Sequence, residues 1–262
     1  SEALTAATAD GATPAHNAAA NGQVDALRYL AKQCGSDTLT AADARDAKPV
    51  TPADAAAKAG RVDVLRFLAE QCGGEVLAAA DTNGETLAHV AAANGHVDVL
   101  RFLAEQCGSE VLTAAAADGA TPAHGAAVKG QIDVLRFLAE QCGSEALMAA
   151  DANGLAPAHV AAFTGHVDVL RFLAEQCGRE ALIAANAKGL TPAHAAALNG
   201  HVDALRFLAE QCGSEALTAA GTDGWTPAHW AANSGHVDAL RFLVDQCGSE
   251  ALTAAAALHE AR

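Results

Sequence analysis

Seven cysteines fall in one frame of a recurring phrase, at Cys34, Cys72, Cys107, Cys142, Cys177, Cys212 and Cys247. The interval is 35 residues throughout, except for 38 between the first two. Each cysteine closes a near-copy of Gly-His-Val-Asp-Val-Leu-Arg-Phe-Leu-Ala-Glu-Gln-Cys-Gly, read in full at residues 95–108. A fixed period of this length describes stacked supersecondary units rather than a globule around one central core. What every unit shares holds the stack together, so specific function has to lie where the units differ.

One unit shows why it folds. In Thr121-Pro122-Ala123-His124, threonine is a helix N-cap, and proline at the first helical position brings a preset φ and lacks an N–H that would go unpaired there. Alanines keep this first helix thin, and Gly130 ends it. A second helix is predicted from about Ile132 to Gln141, with Val134, Leu135, Phe137 and Leu138 as its apolar stripe. Arg136 is three residues from Asp133 and four from Glu140, a spacing that predicts exposed ion pairs worth a few tenths of a kcal/mol. Gly143 stops the helix, and turn chemistry such as Asn153-Gly154 or Asp223-Gly224 leads back to the next unit.

Thr-Pro-Ala-His occurs at 13–16, 121–124, 191–194 and 226–229, with degraded forms at 51–54, 86–89 and 156–159. Gly-His-Val-Asp follows at 95–98, 165–168, 200–203 and 235–238. On these motifs the chain resembles the ankyrin-repeat family over essentially its whole length. The resemblance implies an all-α fold: an ankyrin-repeat solenoid of stacked helix-turn-helix units joined by hairpin-like fingers. Its repeats run approximately over 1–35, 36–73, 74–108, 109–143, 144–178, 179–213 and 214–248, with a partial one at 249–262. They are about two residues longer than the ~33 usual for the family. Ser109, Ser144, Ser214 and Ser249 are expected to cap an extra helical turn in the connector.

The second repeat carries a three-residue insertion between Ala44 and Val50 and lacks a turn glycine, so its finger should be irregular. In the family the motif histidine (His16, His89, His124, His159, His194, His229) bonds backbone in the neighbouring turn. Asp54 replaces it in the second repeat, which predicts a weaker interface there. A second series, His96, His166, His201 and His236, gives way to Gln23, Arg61 and Gln131 without an evident pattern. Near the ends the changes are mild: Tyr29 and Lys32 replace Phe and Glu, and Val244 and Asp245 replace Ala and Glu. End-to-end contact with another subunit, or continuation into a longer array, is therefore expected.

The formal net charge is −15, from 31 acidic and 16 basic residues, which argues against nucleic acid or an anionic membrane as partner. No apolar run approaches the ~20 residues that span a bilayer, and no secretory signal opens the chain. An odd number of thiols fits an intracellular, reducing compartment, either the cytoplasm or an organelle after removal of a targeting segment. Stacked repeats ~10 Å apart hold equivalent cysteines beyond the ~7 Å reach of a disulfide and beyond sharing one zinc ion. With no phosphate loop, serine elbow or isolated carboxylate pair, the sequence gives no catalytic residue, no cofactor and no metal site.

Variation is concentrated at two positions that the resemblance assigns to partner contact. The residue after the turn glycine reads Ala12, Val50, Glu85, Ala120, Leu155, Leu190, Trp225. The pair before the helix-ending glycine includes Val128, Phe163 and Leu198. Both sets grow large and apolar toward the carboxyl end, and both tryptophans, Trp225 and Trp230, lie in the seventh repeat. Leu155, Phe163, Leu190, Leu198 and Trp225 are expected to form an apolar strip on the concave side, with Trp230, Val128 and Glu85 beside it. The function implied is a non-catalytic scaffold binding another protein chiefly through repeats five to seven. An assembly or linker subunit, natural or designed, is the second reading, and a metal-binding or redox protein the third.

Overall fold

Every Thr-Pro pair starts a short helix, because the threonine backbone stays extended while proline supplies the first helical φ. The computed structural model describes residues 5–8, 11–43 and 49–248. These group into two compact units, Ser1–Gly125 and Ala126–Arg262.

In the first unit the two-turn helices Pro14–Ala20, Pro52–Lys58 and Leu87–Ala93 pack side by side, each followed by a three-turn helix: Val24–Cys34, Val62–Cys72 and Val97–Cys107. The second unit repeats the pattern with Pro157–Thr164, Pro192–Leu198 and Pro227–Asn233, followed by Val167–Cys177, Val202–Cys212 and Val237–Cys247; Ile132–Cys142 precedes them. Among the described residues there is no β-strand, only an isolated bridge between Ala80 and Thr86. The first helices are thin because Ala56, Ala57, Ala91, Ala92, Ala161, Ala162, Ala196 and Ala197 are fully buried between neighbours. The longer helices bury Leu65, Leu68, Leu100 and Leu103 in the first unit, and Leu135, Leu138, Leu170, Leu173, Leu205 and Leu208 in the second. Each such leucine contributes about 1.5–3 kcal/mol, so stability is spread along the array.

The connector does make an extra turn, at Ser36–Leu39, Glu75–Ala78, Ser109–Leu112, Ser144–Leu147, Glu180–Ile183 and Ser214–Leu217. Glycine, not serine, holds the N-cap position of the serine-led turns, and no serine side chain caps them. Ser249 lies outside the described residues, as does most of the insertion in the second repeat (residues 44–48). That finger still closes: Asp43 N–H donates to the Val50 carbonyl at 2.8 Å, and Val50 N–H to the Asp43 carboxylate at 3.0 Å.

The exposed ion pair that the spacing predicts forms between Arg28 and Asp25 (4.0 Å) and between Arg241 and Asp238 (3.4 Å), but the repeated arginine also has a role that the spacing does not show. Arg136 lies over the ring of Phe172, 5.3 Å from its centroid, and Arg171 and Arg206 do the same to Phe207 and Phe242 at 5.1 Å. In the first unit Arg28 faces Phe67 and Arg66 faces Phe102. Each arginine thus ties its helix to the next through a cation–π contact worth about 0.5–1 kcal/mol at a partly exposed site. Tyr29 holds the phenylalanine position in the first repeat and is 56% exposed, against 3–4% for Phe67 and Phe102. A hydroxyl there keeps one edge of an uncovered ring in water.

The interface between the second and third repeats departs from the others as expected. Asp54 accepts from the Thr51 backbone N–H (2.8 Å) and hydroxyl (2.7 Å), so it caps its own helix. An ionised carboxylate cannot also donate to the next finger, as the histidines do. A cavity of about 220 Å³ lies here, lined by Pro49, Thr51, Asp54, Val76 and Leu87 among others. Replacing Asp54→His supplies a donor toward the Glu85 carbonyl, 31 residues on, the interval at which His89, His159 and His194 bond. It should raise unfolding stability by about 1 kcal/mol, measured by urea denaturation at neutral pH.

Candidate functional site

Two sets of imidazoles build the site from the backbone outward. In the first set, His159 Nδ1 accepts the Ala156 N–H at 3.1 Å, and His194 Nδ1 accepts both the Thr191 N–H (3.0 Å) and the Thr191 hydroxyl (2.9 Å). An Nδ1 that accepts leaves the hydrogen on Nε2. That hydrogen is donated to the next finger: His159 to the Leu190 carbonyl at 3.0 Å, His194 to the Trp225 carbonyl at 3.1 Å. In the first unit His16 and His89 reach Val50 and Ala120 in the same way. Burial pushes the His89, His159 and His194 imidazoles below the ordinary histidine range, against an upward pull from these carbonyls.

The second series, patternless in the sequence, is a ladder as well. His201 Nε2 bonds the Phe163 carbonyl at 2.9 Å and His166 the Val128 carbonyl at 3.1 Å, each 38 residues back. His96 bonds the Lys58 carbonyl at 2.9 Å, and Arg61 bonds the Ala20 carbonyl at 3.1 Å in its place one repeat earlier. The carbonyls of Phe163, Leu190 and Trp225 are therefore all held by histidine. Those are the backbone positions that carry the large variable side chains.

The fingers are braced internally too. One carboxylate oxygen of Asp151 accepts from the Asn153 and Leu155 N–H groups at 2.8 Å, the amide oxygen of Asn186 accepts from Lys188 (2.9 Å) and Leu190 (3.0 Å), and the Asp223 carboxylate accepts from Trp225 at 2.9 Å. Neighbouring fingers are joined by Thr222 N–H donating to the Lys188 carbonyl at 2.8 Å.

Between these fingers and the first helices lies a cavity of about 440 Å³. Leu155, Phe163, Leu190, Leu198 and Trp230 supply its apolar wall. Ala152, Ala187 and Ala195, with Asn153, Asn186, Lys188, Thr191, His159 and His194, complete it. Phe163 is 48% exposed; the leucines and Trp230 are half-buried. The structure thus brings together five of the eight expected contact residues. Trp225 is half-buried and is not part of the wall; its ring is edge-on to Trp230 with centroids 5.2 Å apart. Val128 is exposed but outside the cavity, and Glu85 lies half-buried in the first unit.

Asn153, Asn186 and Lys188 were not expected at the site. Lys188 had a legible signal: the residue before the turn glycine is Asp10, Asn83, Asp118, Asn153, Lys188 and Asp223, so one repeat alone places a cation there. The cysteines take no part. All seven are free, and burial pushes the thiols of Cys72, Cys107, Cys142, Cys177, Cys212 and Cys247 up, away from the reactive thiolate. Among the described residues no three or more His, Cys, Asp or Glu side chains converge as a metal ion requires, and no helix is long and apolar enough to cross a membrane.

No curated protein matches the chain as a relative. The family profile of ankyrin repeats in three copies matches it in overlapping placements, over residues 2–79, 39–113, 71–149, 89–185, 142–219 and 179–255. With capped helix pairs, bracing histidines and a profile match running almost end to end, the chain belongs to the ankyrin-repeat family.

Proposed function

We propose that this protein is a non-catalytic scaffold that holds a partner protein on its concave side, chiefly through repeats five to seven. Ankyrin repeats are in general protein-interaction modules, which sets the class. The observation that carries the narrower reading is the 440 Å³ cavity walled by Leu155, Phe163, Leu190, Leu198 and Trp230. A pocket of this size with an apolar wall and a few fixed polar groups has the character of a recognition site. Its large side chains stand where other repeats carry Ala12, Ala120 or Ala93, so the repeating architecture does not require them. Trp230, expected at the margin, is one of the walls, and Trp225 packs edge-on against it.

The test is the combined variant Leu155→Ser, Phe163→Ser, Leu190→Ser, Trp225→Ser, used as bait beside the parent protein in native extract. Proteins captured by the parent should fall by about a hundredfold or more, the effect of removing several interface anchors at once. Circular dichroism should show unchanged helicity. Undiminished capture by a folded quadruple variant would falsify the proposal.

The exposure of Tyr29 and Val237 favours a second reading, contact between two subunits of an assembly through these surfaces. Sedimentation across a concentration series decides it, and a strict monomer at high concentration rules it out.

A further inference from the structure

We infer that the occupant of the cavity in repeats five to seven is a short extended peptide segment of a partner protein. It presents a bulky apolar anchor flanked by a carboxylate, which Lys188 receives. This rests on the protein-binding reading above and specifies the chemistry of the partner.

The first reason is charge. In a chain of net charge −15, the cavity wall contains no aspartate or glutamate, and its only ionised side chain is Lys188. Lys188 breaks the finger pattern of Asp or Asn before the turn glycine, so the cation is particular to this repeat. The carboxylates of the flanking fingers, Asp151 and Asp223, are turned to their own backbone N–H groups. Lys188 is exposed and forms no ion pair with them. Its backbone is fixed at both ends, N–H to Asn186 and carbonyl to Thr222, so the finger anchors the base of the side chain at the cavity while the ammonium reaches on a flexible stem. A lone cation at the edge of an apolar, acid-free pocket is complementary to an anion joined to an apolar group, and repels a basic segment.

The second reason is an unsatisfied donor. The indole N–H of Trp230 is buried and has no acceptor among the protein atoms, although its ring forms part of the wall. A peptide main chain is rich in carbonyl acceptors, the kind of group this donor lacks. An aliphatic carboxylic acid satisfies Lys188 but offers no second acceptor along its chain. The volume, about 440 Å³, suits two bulky side chains of an extended segment.

Because both tryptophans of the chain lie in or against the wall, intrinsic fluorescence reports occupancy directly. The probes are three capped hexapeptides with a central Phe-Leu pair, flanked by aspartates, by asparagines or by lysines, together with laurate. The inference expects saturable binding of the aspartate peptide, about tenfold or more tighter than the lysine peptide, with the asparagine peptide between them. Lys188→Glu should abolish or reverse that order, and the quadruple variant should bind none of the peptides. Equal binding of all three peptides, no effect of Lys188→Glu, no peptide binding at all, or tighter binding of laurate each overturns it. These failures leave the protein-binding reading standing if capture from extract still depends on the four apolar residues. If capture does not depend on them, both fail together.

Discussion

Lowering the pH from about 7.5 to about 5 should progressively weaken the fold, seen as a falling urea midpoint, with the loss traceable to the motif histidines. His89, His159 and His194 are held below the usual value of 6.5 by burial. In the unfolded chain the same side chains take up protons as the pH passes 6.5, while the folded chain resists. Stability is therefore fully present above that value and is lost as pH falls toward the depressed folded values. The bonding pattern sharpens the effect. Nδ1 of His194 faces the Thr191 backbone N–H, which can only donate, so a proton there sets donor against donor. The variant His194→Ala should lose about 2–4 kcal/mol at neutral pH, because the Thr191 N–H and the Trp225 carbonyl both lose a buried partner. Its urea midpoint should then depend less on pH than that of the parent. A parent protein equally resistant at both pH values would show that these imidazoles charge freely in place.

Gly165→Ala should be nearly as damaging, although it adds a single methyl group. Gly165 has φ +77°, in the left-handed region that costs an L-residue about 1–2 kcal/mol. A Cβ there would stand 2.6 Å from Nδ1 of His201, whose ring lies against it. The imidazole has to move, which breaks its bond to the Phe163 carbonyl. The summed loss is about 2–4 kcal/mol, read from urea unfolding. Because Phe163 is on the cavity wall, affinity for the occupant should fall as well. Unchanged stability would mean that the ring is free to turn aside and does not brace the helix pair.

The helix pairs were legible because their causes are local. Thr121-Pro122 and the Val134, Leu135, Phe137, Leu138 stripe act within one repeat, and the structure builds helices at Pro122–Val128 and Ile132–Cys142. Arg136 was read only in part for a related reason. Its neighbours three and four residues away are visible in the sequence, but Phe172, 36 residues on, becomes its neighbour only when repeats stack. His201 is the same case, since the carbonyl it bonds is 38 residues back. Within the cavity, Leu155, Phe163, Leu190 and Leu198 stood out because small residues occupy the equivalent places elsewhere. Which of two tryptophans lines the wall is settled by how their rings pack edge to edge, and residue type alone does not encode that.

The braces on Phe163, Leu190 and Trp225 grip main-chain oxygens, a group present in all twenty amino acids. The side chain at each of those places can therefore be exchanged without disturbing what holds the place itself. A lineage, or an engineer, can rewrite specificity one residue at a time while the framework stays the same. For this chain, the amino acids most informative about its partner are the ones under least obligation to its architecture.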